Sequence, residues 1–261
     1  MLAFLLHKAD DTLLGSLLFQ KRTDFKVYLP EGDPLIPDYE GKLSIAEGRL
    51  QTVEEPLICI LESGALPDKR FVRRVLRTVR LHPDFDVYHV NVNGAKAFPR
   101  KADVKRIFRL TLEEGVPVPL STFIFRTAKL REKAVFRSDG ALDIIPTVLS
   151  CAAERPVRNV WLETLDWKAP LETPAESEKR IREKIECLRW TECFFGDDDY
   201  PLSVGDQLAL FAGTLARLYP ACTVDELKEM MDSFQVSQGT IRKLRASSAL
   251  KNAIQERQKN L

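Results

Sequence analysis

Histidine is scarce in this chain of 261 residues: there are three, His7, His82 and His89, and none lies near a pair of cysteines. The usual tetrahedral zinc sets are therefore excluded. The five cysteines are scattered without CxxC spacing, and an odd number fits reduced thiols better than a disulfide framework. No GxGxxG or GxxxxGK[ST] follows any predicted strand, so the glycine-rich phosphate cradles of the common nucleotide folds are absent. Neither sign of charge dominates. The net charge of +1, from 39 Lys+Arg against 38 Asp+Glu, argues against nucleic-acid binding as the overall purpose. Long apolar runs are missing too. The opening MLAFLLHKADD is too short for a signal core or a membrane span, lacks a basic flank and a cleavage site, and reads as a buried first strand. What remains is the profile of a soluble, intracellular globular protein, 44% hydrophobic and 30% charged. The length suits one large α/β domain with a helical appendage, or two small domains.

The pattern alternates strand and helix. Leu2 to His7 is followed by Asp10-Asp11-Thr12, which offers cap chemistry, and by Leu13, Leu14, Leu17 and Leu18 at helical spacing. Phe25 to Leu29 reads as a second strand stopped by Pro30-Glu31-Gly32-Asp33. A short helix is expected around residues 45–53. Leu57-Ile58-Cys59-Ile60-Leu61 is apolar on both faces, as a central parallel strand should be. After Glu62-Ser63-Gly64, a helix is predicted with Phe71, Val72, Val75, Leu76 and Val79 on one face. Arg70, Arg73, Arg74, Arg77 and Arg80 take the others. Strands are predicted at 86–92, 121–126 and 157–162, and helices at 102–114 and 143–153. From 176 onward the character becomes helical, at 176–195, 204–218, 223–233 and 236–258. The alternation implies parallel strands joined by crossover helices.

Three segments in this order carry a resemblance: TLLGSLLFQKRTDFKVYLPEG, LICILESGALPDKRF, and STFIFRTAKL with AVFRSDGALD. Together the chain resembles the family 2 glycosyltransferases, with their GT-A fold, over roughly residues 2–165. The resemblance implies an α/β fold with a mostly parallel sheet flanked by helices. It divides the chain into a nucleotide-sugar-binding domain over 1–170 and a helical C-terminal region over 171–261. It further implies transfer of a sugar from a nucleotide-diphospho-sugar donor to the hydroxyl of a saccharide or lipid-linked acceptor, with a divalent cation, Mg²⁺ or Mn²⁺, as cofactor.

Such chemistry needs the leaving phosphates neutralised and a base for the acceptor proton, at the carboxyl ends of the strands. The family has Asp-x-Asp where this chain has Glu62-Ser63-Gly64, so the metal motif is degenerate, with Glu62 retained as the one metal ligand and as a donor-side carboxylate. Glu31 stands at the turn that contacts the base or ribose. Arg126, in the f-x-R strand, would hold phosphate or acceptor. The family's Arg-Asn stretch has no counterpart near Ala46-Glu47. Asp143, in GALD, takes the position of the catalytic base. A helix N-cap would place the same residue type there.

Glu186-Cys187-Leu188-Arg189-Trp190 echoes the QxxRW motif of processive members. There Arg189 lies near the diphosphate and Trp190 meets the acceptor sugar. The plainer alternative is a helix with Trp190 packed in a core. Asp197-Asp198-Asp199 reads as a solvated turn. The last helix is basic (Arg242, Lys243, Arg245, Lys251, Arg257, Lys259), and its narrow apolar face suits peripheral contact with the inner face of a membrane, or simple solubilisation. The competing reading is a catalytically inactive GT-A scaffold that serves as a binding or assembly module, motivated by the missing second aspartate.

Overall fold

Five consecutive apolar residues, Leu2–Leu6, form β1, and every one is buried, as befits a strand paired on both edges and covered on both faces of its sheet. The computed structural model describes residues 1–6, 10–95, 97–112, 119–137 and 142–167, together with 187, 190, 191 and 193–196. The chain divides into two compact units, Met1–Pro170 and Leu171–Leu261. The expected C-terminal helices fall almost wholly outside the described residues, as do Arg189 and Asp197-Asp198-Asp199.

In the first unit the strands are β1, β2 (Phe25–Leu29), β3 (Ile45–Glu47), β4 (Leu57–Leu61), β5 (Ala65–Pro67), β6 (Val87–Val92), β7 (Lys101–Ala102), β8 (Phe123–Arg126) and β9 (Val157–Trp167). They build one sheet in the order β3-β2-β1-β4-β8-β6-β9-β5, with β7 also on β9. The helices are α1 (Asp11–Leu18), α2 (Ile36–Tyr39), α3 (Phe71–Leu81), α4 (Val104–Leu112), α5 (Thr127–Lys133) and α6 (Ile144–Cys151). The sheet is mixed and mostly parallel. β1 to β4, β6 and β9 run one way, while β8, β5 and β7 are reversed.

Side chains alternate across the sheet, which fixes its two faces. Leu2, Phe4 and Leu6 join Leu13, Leu14 and Leu17 of α1 and Phe71, Val72 and Val75 of α3 in one buried cluster. Both helices therefore cover the same face. On the other, His89 stacks on Phe98 and meets Phe123 edge-on, and α4 and α5 pack against α6. Helix α1 begins where the cap residues sit: Leu13 N–H donates to Asp10 Oδ1 at 2.7 Å.

The expected helix over 45–53 does not form. Ile45, Ala46 and Glu47 pair in parallel with Val27, Tyr28 and Leu29, and Leu50–Thr52 makes a single 3₁₀ turn. Gly48 sits between them, where an added Cβ would come 2.8 Å from the Tyr28 ring. Only glycine lets the chain cross so close.

Candidate functional site

An open cleft of about 620 Å³ lies beyond the carboxyl ends of the first parallel strands, the position where ligands collect in such sheets. Its floor is apolar: Leu5 and Leu6 from β1 and Ile60 from β4. Pro30 and Glu31, at the end of β2, form one wall, and Gly48, Arg49 and Gln51, after β3, form the next. Phe136 and Leu142 close it from the segment before α6, where they bridge to each other.

Local hydrogen bonds explain why these walls hold their shape. Gly32, at φ +72°, lets the Pro30–Asp33 turn close with Asp33 N–H on Pro30 O at 3.2 Å. Glu47 accepts from Gly32 N–H at 3.3 Å, tying this turn to β3. The Arg49–Thr52 turn is strapped from α5: Arg131 donates through Nε to Leu50 O at 3.0 Å and through Nη2 to Val53 O. Arg49 and Glu31 are both exposed. Neither side chain has a hydrogen-bond or ion-pair partner among the described residues, so both are available to a ligand.

The residues singled out by sequence separate in space. Glu31 lines the cleft. Glu62 follows β4 but turns toward the 3₁₀ turn Leu120–Thr122. Its N–H donates to Ser121 Oγ at 2.8 Å, and its Oε2 accepts from Ser121 N–H at 3.3 Å. Ser121 is fully buried, so this reciprocal clamp fixes where the carboxylate points.

Gly64 has φ +84°, and Ala65 N–H returns to Glu62 O at 3.1 Å. That tight turn demands glycine at its third position, so the local fold replaces the second carboxylate of a metal pair. Among the described residues no group of three or more His, Cys, Asp or Glu side chains is placed to hold a metal ion. Among the described residues Glu62 is the one carboxylate in this turn.

Asp143 occupies the N-cap position of α6, yet its carboxylate makes no capping bond. Pro146, two residues into the helix beyond Ile144, has no N–H to offer it. Its backbone is pinned by Asp143 N–H on Val135 O at 2.8 Å. The residue before it, Leu142, lines the cleft.

Arg126 is not brought to the cleft. Because β8 runs antiparallel to β4, Arg126 pairs with Leu57 at the opposite end of that strand from Glu62. Its guanidinium donates to Pro83 O at 2.7 Å and Phe85 O at 3.4 Å, so it ties the α3–β6 connection to β8.

In the second unit, Trp190 stacks on Phe194 with centroids 5.0 Å apart, and Phe194 meets Phe195 edge-on. The spacing of four residues is that of one helix face.

In sequence, the chain matches no family model and no curated protein. In structure it is similar to S. aureus TarS residues 1–349 in complex with UDP-GlcNAc, with a TM-score of 0.58 and 14% identity, over 99% of this chain and 91% of that one. It is also similar to the mannosyltransferase PcManGT from Pyrobaculum calidifontis in complex with GDP-Man and Mn²⁺, with a TM-score of 0.51 and 13% identity, over 98% and 86%. The fold is GT-A. At such identity the likeness is one of fold. Within this GT-A sheet, Arg49, Gln51 and Arg131 are site and support residues that no sequence motif marked, while Ser121 and Phe136 lie in the quoted segments without a role read for them.

Proposed function

We propose that the first unit binds a nucleotide-diphospho-sugar in this cleft and transfers the sugar to an acceptor hydroxyl. One observation carries the reading: the cleft opens at the carboxyl ends of β1, β2 and β4 on an apolar floor, with a carboxylate, Glu31, and a guanidinium, Arg49, that have no partner among the described residues. A nucleoside suits such a lining, with its base on hydrocarbon and its ribose hydroxyls on Glu31. Arg49, the cation of the lining, answers the negative charge of the diphosphate.

Transfer then requires the acceptor oxygen to attack the anomeric carbon. The bond from that carbon to the diphosphate oxygen breaks, its electron pair leaves with the diphosphate, and the hydroxyl proton passes to a base. Asp143 is our assignment for that base, next to the lining residue Leu142. Glu62 stays on the donor side as a positioned carboxylate. Arg189 and Trp190 are our assignment for contacts to the acceptor.

Calorimetric titration with UDP, GDP and their sugars, in Mn²⁺ and separately in EDTA, tests the reading. Binding of at least one nucleotide in EDTA is expected. Absence of heat with every nucleotide in both buffers would remove it.

A second reading is favoured by the Ser121 clamp and the Gly64 turn, which leave the donor side with one fixed carboxylate: a GT-A scaffold that binds and does not turn over. Donor hydrolysis or transfer that disappears in Asp143→Asn while nucleotide affinity stays unchanged supports the enzyme. Binding with no turnover in either protein supports the scaffold.

A further inference from the structure

Residues 69–82 carry six cations, Lys69, Arg70, Arg73, Arg74, Arg77 and Arg80, and no carboxylate, in a chain whose net charge is +1. Helix α3 turns this local excess into a surface. Phe71, Val72, Val75 and Val79 are buried against the sheet, so at about 100° per residue Arg70, Arg73, Arg77 and Arg80 project from the opposite side. Arg74 is paired with Asp68 at 3.3 Å. Arg70, Arg73, Arg77 and Arg80 are exposed and have no ion-pair partner among the described residues.

Apolar side chains stand at both ends of this stripe, which is about 15 Å long. Leu81, on the same helix face, is 62% exposed, and Phe19, at the end of α1, is 76% exposed. The Phe19 segment is held against the start of α3. Lys21 N–H donates to Lys69 O at 2.9 Å, Gln20 Nε2 donates to Asp68 O at 2.6 Å, and Val72 N–H donates to Gln20 Oε1 at 3.2 Å. Since α1 and α3 cover one face of the sheet, the guanidinium groups and the exposed apolar groups face the same way.

We propose that this outer face of α1 and α3 docks the protein on an anionic lipid bilayer. The arginines would meet the headgroup phosphates while Phe19, Leu18 and Leu81 enter the acyl boundary. A polyanion such as nucleic acid rewards the arginines but gains nothing from burying Leu81. A bilayer rewards both, and the combination of a basic face with exposed Phe and Leu is what interfacial binding requires. This docking is separate from the nucleotide reading, because the cleft opens at the strand ends toward Phe136 and Leu142 and contains none of these residues.

Cosedimentation of the full chain with phosphatidylcholine vesicles, with and without phosphatidylglycerol, tests it at low and high salt. Binding is expected only to the anionic vesicles, and it should weaken with salt. At about 5-fold per cation removed near the surface, Arg73→Gln with Arg77→Gln should weaken it roughly 25-fold. Phe19→Ser should weaken it further in a way salt does not reproduce. The double variant should keep the thermal transition and nucleotide affinity of the parent, which separates lost docking from lost folding. The proposal is overturned if the parent ignores anionic vesicles, if the double variant binds them as well as the parent does, or if duplex DNA is bound while vesicles are not.

Discussion

Replacing His89 with leucine should remove a large part of the protein's sensitivity to mild acid. His89 is 2% exposed. It lies between Phe98, stacked at 4.1 Å, and Phe123 at 5.1 Å. Neither ring nitrogen has a hydrogen-bond partner among the described residues. Burial alone pushes its pKa down from 6.5 to about 3, since a charged ring in that setting would be desolvated without compensation. The folded-state value lies below the unfolded one, so the unfolded chain takes up this proton first as pH falls. The stability from keeping the ring neutral is complete above the unfolded value near 6.5. It is lost progressively as pH drops toward 3. At about pH 5 the loss comes to roughly 2 kcal/mol, approaching ~5 kcal/mol at the lower limit.

At neutral pH the exchange is close to balanced. Leucine relieves two orphaned polar atoms, worth about 1–3 kcal/mol, and forfeits ring packing worth about 0.5–1.5 kcal/mol. Urea unfolding of parent and His89→Leu, followed by tryptophan fluorescence at about pH 7.5 and pH 5, isolates the effect. Every other titrating group, His82 included, is common to both proteins. The parent should lose roughly 2 kcal/mol more than the variant between the two conditions. Equal losses would refute the assignment of a neutral, unsatisfied His89.

Arg49→Ala should weaken nucleotide binding by roughly 10-fold or more and flatten its salt dependence, as loss of a charge-assisted contact does; calorimetry reads both. Arg131→Met keeps the apolar stem but gives up the bonds to Leu50 and Val53, and should cost about 1.5–3 kcal/mol in urea unfolding. Its nucleotide affinity should fall as well, although Arg131 does not line the cleft. Gly48→Ala sets a methyl against the Tyr28 ring and Thr52 and should cost about 1–3 kcal/mol, seen as a lowered thermal midpoint. Asp10→Ala, which removes the 2.7 Å cap bond to Leu13, should cost about 1 kcal/mol.

Where the sequence was informative, local chemistry and tertiary packing agreed. The run LICIL is apolar on both faces because it is a central strand, paired on both edges by β1 and β8 and buried on both faces of the sheet. The Asp10 cap and the leucine spacing gave α1. The alternation of Arg with Phe and Val gave α3. Ile45–Glu47 was hidden because a three-residue edge strand draws its stability from pairing with Val27 to Leu29, not from its own pattern. Strand direction was hidden too. Arg126 follows three apolar residues as a strand-end arginine should, but β8 runs backwards, so its carboxyl end lies away from the cleft. The turn that carries Glu31 to the cleft wall was legible because Pro30 and Gly32 mark it at a strand's end. Arg49 and Gln51 were not, since a 3₁₀ turn carries no periodic signal. The Ser121 clamp spans 59 residues of sequence, a separation no local motif reports.

The strap from Arg131 has a mechanical consequence. One guanidinium grips two carbonyls of the turn that follows β3, while its helix rests on α6. The outer rim of the cleft and the layer behind it should therefore move as a single piece. A ligand that steadies the rim would slow amide exchange in α5 as well, at a distance from any atom it touches.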